Sequence, residues 1–255
     1  TFETDGTYEG EYIKELAKTF KSNFGKLDKK IDFGSLDDDK DIRLDEISKY
    51  FKSEFSGAWK EAKKFAVNEI LNLIKEDLHN FNIIHDHWFS ESSLGTVEDV
   101  ESDLSKSLKT IKNQGYTYSK DGAEWFKTTE FGDDKDRVLL RENKEPTYYL
   151  TDVGYHKNKI DRNFDAYINI FGADHHGYIP RLTAAFDVMK KEHQNIEFLL
   201  YQLVNLYEEG VKKTMSTRRG EYFSLNDLRE DLGPDVIKFF FLEKKSDHPM
   251  DFDID

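Results

Sequence analysis

The stretch from Tyr167 to Leu206 constrains this chain most. Tyr167-Ile168-Asn169-Ile170-Phe171 is rich in β-branched and aromatic residues and reads as a strand. Gly172 to Tyr178 reads as a loop, and Pro180 suits the first turn of a helix that runs to about Glu192. Phe198 to Leu206 is a second apolar strand. Strand, loop, helix and strand in that order predict an α/β arrangement, in which loops after the strands reach the ligand crevice.

The residues before this run are mostly helical. Tyr12, Ile13, Leu16, Ala17, Phe20 and Phe24 share one helix face, with Gly25 at the stop. Residues 28–41, with Asp37-Asp38-Asp39-Lys40-Asp41, read as a solvated loop. From Leu44 to Phe81 apolar residues recur at threes and fours, which predicts one long helix or two abutting ones, broken near Ser56-Gly57. A further helix is expected over Val97 to Gln114, capped by Thr96 with Asp99, with Val97, Val100, Leu104, Leu108 and Ile111 buried. Short strands follow at Tyr116 to Tyr118, Ala123 to Phe131 and Arg137 to Leu140, separated by Asp121-Gly122 and Gly132-Asp133-Asp134. Near the end, Ser224 and Asp227 form a capping box, and Gly233-Pro234 separates two short helices.

Charge limits the partners. The 51 acidic and 37 basic side chains leave a net charge of -14, so the chain as a whole lacks the cationic footprint that free nucleic-acid binding needs. Any polynucleotide contact has to be local or made by another part of the protein. With no cysteine, disulfides and thiolate metal sites are excluded, which fits a reducing compartment. No apolar run approaches the roughly 18 residues needed to span a bilayer, so no membrane partner is expected. The 20 Phe and 13 Tyr let so polar a chain fill a core.

Three constellations can carry chemistry. Phe171-Gly172-Ala173-Asp174-His175-His176-Gly177-Tyr178 follows a strand directly: glycine permits a tight turn, a carboxylate beside it can accept from ribose hydroxyls, and the histidines can donate to a ligand oxygen. The bland alternative is an exposed polar turn. Lys212, Lys213, Arg218 and Arg219 flank Met215-Ser216 between Gly210 and Gly220, a loop able to fold over a polyphosphate or simply to be solvated. In Tyr148-Tyr149-Leu150-Thr151-Asp152, Tyr148 and Asp152 can line a pocket for a cation, because a carboxylate pairs bidentately with a guanidinium; tyrosines also commonly pack cores. His85-Asp86-His87-Trp88 has no further ligand cluster beside it and reads as an exposed loop, so no tightly bound metal is expected.

Taken in order, these strings resemble the second half of a bacterial-type arginyl-tRNA synthetase, a class I aminoacyl-tRNA synthetase. The resemblance rests on Gly172-Ala173-Asp174-His175-His176-Gly177-Tyr178, then Gln202-Leu203-Val204, then the Met215-Ser216 loop. Upstream it is carried by Asp121 to Phe126, Phe131 to Leu139 and Thr151 to His156, and downstream by Asp235 to Leu242 and Asp251 to Asp255. It covers nearly the whole chain, with residues 25–80 least diagnostic.

The resemblance implies a partial Rossmann-like class I catalytic domain with a helical and small β insertion. Residues 1–145 would be the inserted segment, and 146–255 the second half of the nucleotide-binding fold. It implies an ATP-binding ligase of protein biosynthesis that makes arginyl-adenylate and pyrophosphate from arginine and ATP, then passes the arginyl group to the acceptor end of tRNA(Arg). Magnesium would accompany ATP as substrate, and tRNA is usually needed for the first step as well. The enzyme would be cytoplasmic and monomeric. Tyr148 and Asp152 match positions that hold the arginine side chain, and Gly172, Asp174 and His175 match the adenosine-binding segment. Met215, Ser216, Thr217 and Arg218 match the Lys-Met-Ser-Lys-Ser catalytic loop, although Thr214 and Thr217 stand where that signature has lysine; Lys213 or Arg218 would have to compensate. The His-Ile-Gly-His signature is nowhere in these 255 residues. The expectation is therefore a fragment that starts inside the insertion, stops before the anticodon domain, and does not aminoacylate alone. Two readings stay open beside it: a non-enzymatic synthetase-like module that binds a nucleotide or a protein, and a cysteine- or glutamate-type class I synthetase.

Overall fold

The computed structural model describes residues 10–24, 40–54, 56–213 and 223–255. They form two compact units, one of Thr1–His85, Leu206–Glu243 and Phe252–Asp255, the other of Asp86–Asn205 and Lys244–Asp251.

In the first unit the predicted periodicity becomes α1 (Glu11–Phe24), α2 (Lys40–Glu54) and α3 (Ser56–Asn80). The break expected near Ser56-Gly57 corresponds to separate helices, one ending at Glu54 and the next starting at Ser56. Phe20 meets Phe65 at 5.5 Å and joins α1 to α3, while Phe51 stacks on Trp59 at 6.1 Å and joins α2 to α3. Lys40 and Asp41 open α2 instead of ending a loop; residues 28–39 and Gly25 lie outside the described residues. Among the described residues none of α3 is fully buried. At the other end of this unit, the capping box of Ser224 and Asp227 opens α7 (Leu225–Leu232), and α8 (Pro234–Glu243) follows Gly233, as the sequence predicts. Phe252 lies edge-on to Phe240 and Phe241 at 5.8 and 5.9 Å.

The second unit contains α4 (Asp103–Asn113), the antiparallel strands β1 (Thr117–Lys120), β2 (Ala123–Phe126) and β3 (Arg137–Leu140), and α5 (Tyr148–Asp161). After them come β4 (Ala166–Gly172), α6 (Ile179–Met189) and β5 (Asn195–Tyr201). Strands β4 and β5 run parallel, in register from Ala166 opposite Asn195 to Gly172 opposite Tyr201, so the βαβ reading of this stretch is correct. Leu104, Ile111, Phe126, Leu139, Leu150, Val153, Leu182 and Ala185 form one buried cluster between α4, α5, α6 and the antiparallel sheet.

Four boundaries differ from the sequence reading, each beside a specific hydrogen bond. Helix α4 starts at Asp103, not Val97: Ser102 is the cap and accepts from the Ser105 N–H at 3.0 Å, while its hydroxyl donates to the Thr96 carbonyl. Val100, expected in the buried stripe, is 73% exposed. Strand β2 stops at Phe126 because Thr128 and Thr129 turn the chain, Thr128 donating to the Lys135 carbonyl at 2.7 Å and Thr129 to Asp136 at 2.7 Å. Helix α6 ends at Met189, where Gln194 accepts from the Lys191 N–H at 2.9 Å. The apolar run 198–206 is two strands, β5 and β6 (Val204–Glu208), separated at Gln202, whose N–H donates to the Ser246 carbonyl at 2.8 Å.

Candidate functional site

Thr147 caps α5 by accepting from the Leu150 N–H at 3.3 Å. The helix then buries Tyr149, Leu150, Val153 and Ile160 on its core side. The spacing 152, 155, 156 and 159 lies on a different stripe, since residues three, four and seven apart share one helix face. Asp152, Tyr155, His156 and Lys159 line a cavity of about 400 Å³, closed by Phe171 at the end of β4, His175 and Tyr178 in the following turn, and Leu182 of α6. The predicted loop Gly172 to Tyr178 is a short 3-10 helix, Ala173–Tyr178, that leads directly into α6. The cavity thus sits beyond the carboxyl end of a parallel strand, where open α/β sheets collect ligands.

Two of the three predicted loops meet here. Tyr178 donates to Asp152 Oδ2 at 2.7 Å, and among the described residues no donor reaches Oδ1. Burial pushes the Asp152 carboxyl above its ordinary range; the Tyr178 hydrogen bond pulls it down, the nearby Glu91 charge pushes it up, and Lys159 pulls it down. The Glu91 charge thus reaches the partly buried Asp152 carboxyl, an arrangement that a cation relieves. The Tyr178 hydroxyl is held well above its ordinary value by burial and then by Asp152.

Behind Asp152 lies a buried polar chain. His156 Nδ1 is 2.8 Å from the Asp152 carbonyl, Asn169 Nδ2 is 2.8 Å from His156 Nε2, and Lys159 donates to Asn169 Oδ1 at 2.6 Å. Lys159 also lies 4.3 Å over the Tyr155 ring. Burial, and then the charge of Lys159, press His156 down to about 4, against its hydrogen bond to the Asp152 backbone. Burial, and then Arg162, lower Lys159 to about 8, while Asp152 opposes that shift.

The other predicted residues fall as follows. His175 lines the cavity, with its ring 5.9 Å from Phe171 and Nδ1 3.1 Å from Asp174 Oδ1. Asp174 is exposed at the mouth of the turn. A Cβ on Gly172 would stand 2.5 Å from Asp174 Oδ1, so the bare glycine lets that carboxylate fold back over the strand end. Tyr148 sits at the start of α5, 84% exposed, and is not among the cavity residues. Met215, Ser216, Thr217 and Arg218 lie outside the described residues. Sequence reasoning passed over Tyr155, Lys159, Tyr178, Asn169 and Glu91 as site residues. For Tyr155 and Lys159 the spacing from Asp152 was a usable signal; Asn169 and Glu91 come from elsewhere in the chain and carried none.

The string Phe131-Gly132-Asp133-Asp134-Lys135-Asp136-Arg137 has a structural role. Asp133 accepts from Arg137 Nε at 2.7 Å and from Nη2 at 2.8 Å, and Asp134 adds a further bond to the same guanidinium. Burial raises the Asp133 carboxyl, but the Arg137 fork and further hydrogen bonds outweigh it and hold the group far below its ordinary range.

Comparison with known proteins shows the family. The family model of class I tRNA synthetases (R), catalytic domain, matches residues 14–247. An arginine–tRNA ligase of Vesicomyosocius okutanii is 41% identical over 263 residues, covering 98% of this chain and 45% of the relative; one of Aquifex aeolicus is 40% identical, covering 100% and 43%. The chain thus spans less than half the length of these relatives. A solved Campylobacter jejuni chain, 33% identical, superposes with a TM-score of 0.74 over 100% of this chain and 49% of its own. The Thermus thermophilus arginyl-tRNA synthetase, at 14% identity and a TM-score of 0.63, shares the fold. The mixed α/β architecture, the cavity at the strand ends and these matches lead to one conclusion: the chain belongs to the arginyl (R) family of class I tRNA synthetases, within its catalytic domain.

Proposed function

We propose that the protein of which this chain is part is an arginine–tRNA ligase, and that the cavity beside Asp152 receives the guanidinium of arginine. The observation that carries this reading is the Asp152 carboxylate, aimed by Tyr178, influenced by the charges of Glu91 and Lys159, and in no ion pair among the described residues. A planar guanidinium can meet an oxygen edge of this kind with two donors, whereas an ammonium offers only a point charge. Tyr148, at the start of the same helix, belongs to the proposed arginine set. Gly172, Asp174 and His175 form the proposed adenosine side, and Met215, Ser216, Thr217 and Arg218 the proposed catalytic loop. ATP enters as a substrate with its magnesium, and the tRNA(Arg) acceptor end receives the product.

The assignment of residues 1–145 to an insertion and 146–255 to the second half of the nucleotide fold belongs to this reading; it follows chain order, not the two compact units. The family's His-Ile-Gly-His signature is absent from these residues, so the 255-residue chain by itself is expected to catalyse no arginine-dependent pyrophosphate exchange. Calorimetry on the full-length protein tests the substrate: arginine should bind, with lysine and cysteine at least about ten-fold weaker. Equal binding of lysine would remove the guanidinium reading.

A further inference from the structure

The chain behind Asp152 has only one consistent direction of donation. Lys159 carries an ammonium that can only donate, so Asn169 must face it with Oδ1. The Asn169 amide then turns Nδ2 toward His156 Nε2, which must accept. The opposite ring nitrogen faces the Asp152 carbonyl, an obligatory acceptor, and therefore holds the hydrogen. All four groups are satisfied when the ring is uncharged with its proton on Nδ1. A charged ring would carry N–H on both sides. Asn169 would then have to flip, turning its NH2 onto the Lys159 ammonium, donor against donor. His156 and Asn169 are buried, at 3% and 4% exposure, so their protein partners dominate the choice of protonation state.

We propose that Lys159 and Asn169 are positioning residues that lock His156 in its neutral Nδ1–H form, so that the Asp152 charge stays available to a guanidinium. This rests on the function proposed above. An imidazolium one helical turn from Asp152 would add a positive charge near the carboxylate and compete with that of the ligand. Lys159 acts on Asp152 through space but makes no ion pair with it, because Asn169 and the Tyr155 ring hold its ammonium. The other titratable or charged groups facing this point are His175 and Tyr178 across the cavity, Glu91, whose charge acts on Asp152, and Arg162, whose charge acts on Lys159. None of them bonds the His156 ring among the described residues. The depression of His156 to about 4 agrees with the lock.

Histidine-selective nitrogen NMR of the protein, with His156 identified through His156→Gln, reads the lock directly. The wild-type ring should be neutral at neutral pH, with its proton on Nδ1. Lys159→Met removes both the charge and the donor and should raise the His156 midpoint by about one pH unit or more; Lys159→Arg keeps both and should leave it low. Asn169→Asp, of the same shape, turns the donor facing Nε2 into an acceptor and should raise the midpoint further. In the full-length protein, Lys159→Met should increase the arginine KM by about five-fold between about pH 8 and about pH 6, beyond any change in wild type, with the ATP KM unmoved. A wild-type ring charged at neutral pH, or a midpoint unmoved in Lys159→Met and Asn169→Asp, overturns the proposal. Asp152→Asn separates the two ideas: if it leaves the arginine KM unchanged, the guanidinium reading fails, whereas the NMR result still decides whether the lock exists.

Discussion

Tyr178 donates its hydroxyl hydrogen to Asp152 across 2.7 Å and so ties the turn after β4 to the middle of α5. One residue comes from the Gly-Ala-Asp-His-His-Gly-Tyr string and the other from the Tyr-rich helix, 26 positions earlier. The bond fixes which carboxylate edge is left for a ligand. Tyr178→Phe keeps the ring, including its contact with the Arg181 guanidinium 4.5 Å away, and removes only the hydroxyl. A hydrogen bond to a charged group is worth about 1.5–3 kcal/mol, so the arginine KM of the full-length protein should rise by roughly ten-fold or more, with little change in the ATP KM. Steady-state pyrophosphate exchange with tRNA present measures both.

His156 should make stability depend on pH in a definite direction. Its folded pKa, about 4, lies below the ordinary value of 6.5. Between these values the unfolded chain binds more protons, so stability rises with pH across that window and is lost as pH falls through it. The contribution is at most about 3 kcal/mol. Urea unfolding at about pH 5 and about pH 7 should show this loss, and His156→Gln should flatten the slope.

Asp133 and Arg137 act as a structural clamp under the antiparallel sheet. Asp133→Asn keeps the shape but loses the charge-assisted fork, and should destabilise the chain by about 2–3 kcal/mol at neutral pH. Because the folded Asp133 carboxyl is depressed, its contribution is full above its unfolded pKa and is lost as pH falls toward the folded one. The gap between wild type and variant should therefore narrow below about pH 4, and paired denaturation curves at neutral and acid pH check this.

Gly154 lets α5 lie tight against Leu104 of α4. A Cβ there would stand 2.8 Å from Leu104 Cδ2, and both residues are buried. Gly154→Ala raises helix propensity but overpacks this contact, so a net loss of about 1–2 kcal/mol is expected. A thermal melt of the variant against wild type measures it; an unchanged or higher Tm would mean that Leu104 can move aside at no cost.

Local chemistry alone determined the order of elements. Periodicities of two and of three to four residues, Pro180 at a helix start, the Ser224 and Asp227 box and the Gly233-Pro234 break are properties of neighbours in the chain, and the structure keeps them, apart from Val97 and Val100, which precede α4. The helix over 103–113 was legible too, but not its cap, because Thr96, Asp99 and Ser102 are all competent caps and the choice depends on the turn that Ser102 closes back to Thr96. The candidate site divides in the same way. Asp152, Asp174 and His175 were visible as residue types in distinctive strings. That His175 shares a cavity with Asp152, that Tyr178 aims the carboxylate, that Tyr148 points outward, and that Asn169 joins His156 to Lys159 were not. Those relations join α5 to a strand and a turn that follow it. Hydrogen-bond direction and desolvation act between groups brought together only by folding, so tertiary structure alone could decide them.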